Sequence, residues 1–167
     1  MPVLSRRTFA AALLFAPTGL RATAIPCPPP PIVLFICPAG SVKSAIARET
    51  LKARAAKAGL SVRAQSRGLK PDDHVSPGLL TNLKADNLDP AAEPLRALRA
   101  EDVSAAAIVI AFDEAAADPM LRGARTWASP SWNTDYAGAK AVLTARMDDL
   151  ITELRGRQVT GCEATAQ

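Results

Sequence analysis

The sequence predicts an α/β domain in which about four parallel strands form a three-layer, doubly wound sheet with helices on both faces. Two apolar runs are typical of strands buried on both faces: residues 32–36, and a second run within residues 103–112. Stretches with helical patterning lie between the strand candidates, and this alternation favours a parallel sheet. The 167 residues, of which 49% are hydrophobic, suffice for one domain with a full core.

The remaining elements follow in chain order. The first strand ends at Cys37, and a helix over 42–58 stops at Gly59, a residue typical of helix ends. We then expect strands at 61–65, 103–112 and 125–127, helices at 77–83 and 95–100, and a helical turn over 113–121. The last helix, 135–155, has a continuous apolar face.

The first 24 residues predict an export signal rather than part of the domain. Residues 5–9 resemble the twin-arginine signature with Arg6 and Arg7, and an apolar run and a small-residue cleavage site at 22–24 follow. We therefore expect a periplasmic protein. The apolar run is too short to span a bilayer, so an integral membrane protein is not expected.

Removing the signal also changes the charge. The formal charge of +4 includes three arginines in residues 1–24, where no acid occurs, so the mature chain carries 4 − 3 = +1. Such a small charge implies no nucleic-acid partner. The predicted layout is a signal over 1–24, a proline-rich lead over 25–31, the domain over 32–157 and a flexible tail over 158–167.

The loop from Cys37 to the first helix has the pattern of an anion site. It joins the end of a buried strand to a helix N-terminus, where backbone N–H groups and the helix dipole favour a negative charge. The same environment favours the thiolate form of a cysteine. The expected anion-binding residues besides the thiol are those of the loop and first helical turn: Ala39, Gly40, Ser41, Val42 and Ser44.

This stretch resembles the active-site loop of the low-molecular-weight protein tyrosine phosphatase and arsenate reductase family, which reads Cys, five residues, Arg, Ser. Cys37 and Ser44 match, and Ser41 matches the arsenate reductase variant. Lys43 stands where the family has Arg, and Gly40 where it usually has Asn. The resemblance implies Cys37 as the nucleophile and Lys43 as a weaker holder of oxyanions, because lysine lacks the planar fork of arginine.

The resemblance also implies a proton donor in an Asp-Pro pair before the last helix. This chain has Ser129 there, followed by a proline, and a serine hydroxyl is a poor acid. Asp135 is a weak substitute, and it could equally be the N-cap of the last helix. Farther upstream, Arg67 lies within a Ser-Arg-Gly sequence where the family has Ser-Ala-Gly, so it could reach the same anion.

The three cysteines lead to two further expectations. In the fold that the resemblance implies, Cys27 and Cys162 approach each other, and an oxidising compartment would allow a disulfide between them. No cysteine lies between Cys37 and Cys162, which disfavours an arsenate cycle that passes a disulfide along the chain. No cofactor and no metal are expected.

Three functions stay open on the sequence. The first is an exported phosphatase that acts on a phosphorylated protein or a small phosphomonoester through Cys37. The second is a catalytically impaired relative that binds phosphate-type oxyanions or a partner without turnover. The third is a structural domain in which Cys37 is only a buried thiol.

Overall fold

The computed structural model describes residues 29–162, and the side chains of residues 29–158. The strands are β1 (Ile32–Cys37), β2 (Arg63–Gly68), β3 (Ile108–Phe112) and β4 (Arg125–Trp127). The helices are α1 (Lys43–Lys57), α2 (Pro77–Ala85), α3 (Ala100–Ala105) and α4 (Tyr136–Cys162), with short 3-10 helices at Pro90–Ala92, Asp113–Ala117 and Pro119–Leu121. The strands form one parallel sheet in the order β2-β1-β3-β4, which confirms the predicted fold class.

Strand β1 lies in the centre of the sheet and is buried on both faces. Val33 and Phe35 belong to the larger core cluster, which also contains apolar residues of α1, α2 and α4. Leu34 and Ile36 belong to a second cluster, against which the α3 side chain Val103 packs. Alternate residues of a strand point to opposite faces, so an apolar run with no polar member needs apolar partners on both sides.

Three aromatic rings set the positions of the strand ends near Cys37. Phe35 of β1, Phe112 of β3 and Trp127 of β4 contact one another, with ring centroids 5.9 to 6.5 Å apart. The Phe112 and Trp127 rings meet edge to face, an arrangement that aromatic pairs favour. This cluster holds the carboxyl ends of three strands in a defined relation to one another.

The segment predicted as a helix at 95–100 is instead extended over its middle. Ala97 forms a parallel bridge with Gly68, because the Gly68 N–H donates to the Arg96 carbonyl and the Leu98 N–H donates to the Gly68 carbonyl, each at 2.9 Å. The outer edge of β2 has backbone groups that need partners, and this tertiary pairing overrides a local helical preference.

Three predicted boundaries also need correction. The strand predicted over 61–65 is β2, Arg63–Gly68. The strand predicted over 103–112 begins only at Ile108, and Val103 lies in α3, because an apolar run alone does not separate a short helix from the strand that follows. Helix α4 continues to Cys162, beyond the end predicted at residue 155.

Some sequence predictions concern residues outside the described part. The signal peptide, its cleavage site and Cys27 all lie before residue 29, and the side chain of Cys162 lies beyond residue 158. The export signal and the Cys27–Cys162 disulfide therefore stay predictions. In the described part of the chain, no helix is long and apolar enough to cross a membrane.

Candidate active site

Cys37 lies at the carboxyl edge of the sheet, as the last residue of β1. Strand β1 lies between β2 and β3 in the sheet. Helix α1, which follows β1, packs on one face of the sheet, and α3, which precedes β3, packs on the other. In open parallel sheets this reversal opens a crevice beyond the strand ends, where ligands bind. The only described free cysteine, a buried one, is thus at the base of the crevice that the topology creates.

The loop after Cys37 turns its carbonyl groups away from the crevice. The carbonyls of Cys37, Pro38 and Ala39 accept hydrogen bonds from the backbone N–H groups of residues 69, 70 and 72, at 3.0 to 3.3 Å. The Gly40 N–H points the other way and donates to Cys37 Sγ at 3.1 Å. This loop therefore directs a backbone donor at the sulfur, the atom that acts as the nucleophile in the thiolate form.

Gly40 and Gly68 allow this loop to lie directly on the end of β2. Gly40 has a φ of 80°, which favours glycine, and a Cβ there would lie 2.8 Å from the Gly68 nitrogen. A Cβ on Gly68 would lie 2.7 Å from the Ala39 carbonyl oxygen. The family-like glycine at 68 and the unusual glycine at 40 therefore serve the same close contact between two backbones.

The Ser44 hydroxyl is within hydrogen-bond distance of the Cys37 sulfur. Its hydroxyl oxygen lies 3.1 Å from Cys37 Sγ, 3.2 Å from the Gly40 carbonyl oxygen and 3.4 Å from that of Arg67. When Cys37 is a thiol, the thiol can donate to Ser44 while the hydroxyl donates to the Gly40 carbonyl. When Cys37 is a thiolate, the same hydroxyl can donate to the sulfur, so Ser44 accommodates both protonation states.

Lys43 extends from the first turn of α1 to the strand ends on the other side of the crevice. Its ammonium group forms an ion pair with Asp113 and donates to the Ser129 carbonyl at 2.9 Å. The backbone N–H of Ser129 in turn donates to Asp113, at 3.3 Å. An ammonium has three donors, so one remains for an oxygen of a bound anion.

A cavity of about 240 Å³ lies beside these groups. It is lined by the loop residues Cys37, Pro38, Ala39, Val42 and Lys43, and on the other side by Asp113, Glu114, Ser131, Trp132 and Asn133. With Lys43 at +1 and the two acids at −1 each, the side chains apart from the thiol sum to −1. The attraction for an anion therefore depends on the backbone N–H groups and the α1 dipole.

Two residues expected to bind the anion point elsewhere. The Ser41 hydroxyl accepts from the His74 N–H at 3.3 Å, outside the lining of the cavity. The Arg67 guanidinium donates to Asp102 at 2.6 Å. Burial acts to raise the pKa of Asp102, but the hydrogen bonds from Arg67 and Arg99 outweigh it and hold this pKa below its usual value. Arg67 is thus engaged in a separate ion pair, on the side of β2 facing α3.

Asp135 is the N-cap of α4, which is one of the two roles that the sequence left open for it. One of its carboxylate oxygens accepts from the Gly138 N–H at 2.9 Å, and Asp135 does not line the cavity. Its neighbour Tyr136 donates its hydroxyl to Asp86, near the end of α2. Burial and this bond raise the pKa of Tyr136 above its usual range. The segment is therefore anchored away from Cys37.

Ser129 stands where the acid was expected, and it bonds to Lys43 and Asp113 through its backbone and not through its side chain. The Ser129 carbonyl and N–H bind Lys43 and Asp113, while its hydroxyl donates to the Pro130 carbonyl at 3.0 Å. In the described chain, no group of three or more His, Cys, Asp or Glu side chains is arranged to hold a metal ion.

The carboxylates of Asp113 and Glu114 were not predicted at the site, because the sequence pattern indicated only the start of a helical turn there. A usable signal exists, because both residues directly follow β3, the neighbour of β1 in the sheet. Side chains that follow adjacent parallel strands meet at the carboxyl edge, so these acids could have been placed near Cys37.

A family model described as low molecular weight phosphotyrosine protein phosphatase matches residues 32–141. The chain belongs to this family. The match covers the sheet, the Cys37 loop and the start of α4, so family membership agrees with the position of the cavity. A search of the curated proteins found no match.

Solved structures show the same fold. The thioredoxin-dependent arsenate reductase of Corynebacterium glutamicum has 24% identity and a TM-score of 0.60, over 76% of this chain and 63% of that one. The low molecular weight protein tyrosine phosphatase of Streptococcus pyogenes has 14% identity and a TM-score of 0.58, and the match covers 74% of this chain and 93% of that one. An arginine phosphatase of Geobacillus stearothermophilus has 19% identity and a TM-score of 0.52, and the match covers 78% of this chain and 97% of that one. The chain thus spans less than two thirds of the C. glutamicum protein but nearly all of the other two.

Proposed function

We propose that this protein is an exported hydrolase of phosphomonoesters, such as phosphotyrosine, and that it works through a phosphorylated Cys37. The observation that carries the proposal is the setting of the sulfur. It lies at the base of a cavity at the N-terminus of α1, with the Gly40 N–H and the Ser44 hydroxyl both 3.1 Å away. A positioned thiolate beside donors for the phosphoryl oxygens is what this chemistry requires.

In the proposed reaction the Cys37 thiolate attacks phosphorus, and the bond to the leaving oxygen breaks with its electron pair on that oxygen. The remaining donor of Lys43 holds one phosphoryl oxygen. Water then attacks the phosphocysteine, releases phosphate and restores the thiolate. Lysine offers one point charge where arginine offers a planar fork, so we expect turnover about 10²–10³ below that of an arginine-containing loop.

A second candidate is a family member that binds phosphate-type oxyanions without turnover. It is favoured by the ion pair between Lys43 and Asp113 and by the net negative charge of the side chains around the cavity. An ammonium that is already neutralised attracts a phosphate dianion less strongly than a free one.

Hydrolysis of an aryl phosphate by the mature protein separates the two candidates. Turnover that Cys37→Ser abolishes and Lys43→Arg increases supports the phosphatase. Absence of turnover, together with a rise in melting temperature on adding phosphate or vanadate, supports the binding protein. Absence of both would contradict both candidates and leave the structural domain.

Export through a twin-arginine signal is part of the proposal and has its own test. Expressed from residue 1 in a bacterium with twin-arginine transport, the protein should appear in the periplasm in a shortened form. The double variant Arg6→Lys, Arg7→Lys should remain in the cytoplasm at full length. Equal periplasmic amounts of both would contradict the export signal. Non-reducing peptide mapping of the exported protein would test the Cys27–Cys162 disulfide.

A further inference from the structure

The Cys37 cavity contains a carboxylate that no other described group engages. Four of its lining side chains can ionise: Cys37, Lys43, Asp113 and Glu114. Lys43 and Asp113 are paired with each other. Glu114 is exposed, and in the described chain its carboxylate has no hydrogen bond and no ion pair. It is therefore the carboxyl at the cavity that is not already bound to another described side chain.

The backbone at Asp113 explains why two consecutive acids reach one cavity. Neighbouring residues of a strand point to opposite faces, but Asp113 has a φ of 50°, in the left-handed region, and the chain turns there into a 3-10 helix. Asp tolerates this conformation better than most residues, although it still carries strain. The turn directs both Asp113 and Glu114 into the lining opposite Cys37.

We propose that Glu114 is the general acid and base of the phosphatase reaction, in place of a carboxylate in the segment before α4. This inference rests on the proposed function. Of the other lining groups, Asp113 and Lys43 are engaged with each other in an ion pair, so Glu114 is the lining carboxyl that no other described side chain engages. Ser131 and Asn133 have no proton to give near neutral pH.

The proton transfers balance over one catalytic cycle. As the Cys37 thiolate forms the S–P bond and the P–O bond breaks, the leaving oxygen takes the proton of the Glu114 carboxyl. The resulting carboxylate then takes a proton from the water that attacks the phosphocysteine. Phosphate is released, the S–P bond returns its electron pair to sulfur, and Glu114 is protonated again. The first step thus starts from the protonated carboxyl, and the second step restores it.

The test measures how the rate depends on the leaving group. Hydrolysis of aryl phosphates from 2,4-dinitrophenyl to phenyl phosphate is compared for the wild type, Glu114→Gln, Glu114→Asp and Glu101→Gln. Glu101 is an exposed acid of α3, away from the cavity, and serves as the matched control. Melting temperatures of all variants check that each is folded.

We expect Glu114→Gln to lower kcat/KM for phenyl phosphate about 10²–10³-fold, and for 2,4-dinitrophenyl phosphate less than about fivefold, since a good leaving group needs no proton. Glu114→Asp should recover part of the loss, and Glu101→Gln should match the wild type. An equal loss across the series, or no loss, would overturn the role of Glu114.

Acid quenching with 2,4-dinitrophenyl phosphate distinguishes this failure from failure of the proposed function. A phosphocysteine at Cys37 in the wild type, with a leaving-group dependence unchanged in Glu114→Gln, contradicts only the assignment of Glu114. No phosphocysteine and no turnover in the wild type contradict the proposed function, and the role of Glu114 with it.

Discussion

The cavity lies between two segments of the chain that are built in different ways, and only part of each segment lines it. We call residues 37–44 the loop wall, and residues 113–114 with 129–133 the acidic wall. The loop wall is held mainly by backbone contacts, with Gly40 packed on Gly68 and three carbonyls bonded to the chain after β2. The acidic wall presents side chains, and its contact with the loop wall includes the Lys43–Asp113 pair. A backbone-held loop can keep its shape while side chains at its mouth change, so family geometry can persist with altered chemistry.

The largest expected effect breaks the loop wall. Gly40→Ala places a Cβ 2.8 Å from the Gly68 nitrogen and forces alanine to a φ of 80°, so we expect a loss of roughly 2–4 kcal/mol in the free energy of unfolding. Gly59→Ala is the control, because Gly59 has a φ of 65° but no atom within 4 Å of an added Cβ. It should cost about 1–2 kcal/mol. Denaturant unfolding measures both, and equal losses would show that the contact with Gly68 is unimportant.

A smaller effect is expected where the two walls meet. Asp113→Asn removes a negative charge beside Lys43, while asparagine can still accept from the Ser129 N–H and adopt the left-handed backbone. Inorganic phosphate should then bind roughly tenfold more tightly, because one unit charge at this range is worth about 1–4 kcal/mol near a protein surface. Calorimetric titration at low salt measures this, with Asp118→Asn as the control outside the cavity. Weaker binding would mean that the pair positions Lys43 more than it neutralises it.

Asp135 tests whether the acidic wall extends into the start of α4. Asp135→Ala removes the bond to the Gly138 N–H, so stability should fall by about 1 kcal/mol. Turnover of phenyl phosphate at a temperature where the variant is folded should stay within about twofold of the wild type. A large loss confined to poor leaving groups would instead identify Asp135 as the proton donor.

The smallest effect concerns the ion pair between Arg125 of β4 and Glu153 of α4, which ties α4 to the strand leading into the acidic wall. The hydrogen bond from Arg125 lowers the pKa of Glu153 from 4.5 to about 2, and a second hydrogen bond from Arg157 acts in the same direction. Burial acts in the opposite direction but is outweighed. Because the folded pKa is the lower one, the carboxylate stabilises the fold above pH 4.5 and loses this effect as the pH falls towards 2. The unfolding free energy of Glu153→Gln should be lower by no more than about 1 kcal/mol at pH 6. The difference from the wild type should shrink steadily towards pH 2.5, and a constant difference would contradict the assignment.

The sequence by itself determined the fold class and the place of Cys37. The apolar run of β1 requires burial on both faces, and the turn into α1 requires a free helix N-terminus beyond the last strand residue. Both are local properties of consecutive residues. The same local information left Asp135 between two roles, since an acid before a helix fits both.

Only the tertiary structure decided the composition of the acidic wall. Lys43 meets Asp113 and Ser129 across 70 and 86 residues of chain, and such contacts depend on strand order and on the left-handed turn at Asp113. The extended pairing of Ala97 with Gly68 and the Arg67–Asp102 pair are also long-range contacts, formed because buried or edge groups need partners. Local patterns do not carry that information, because the partner is chosen by the assembled sheet.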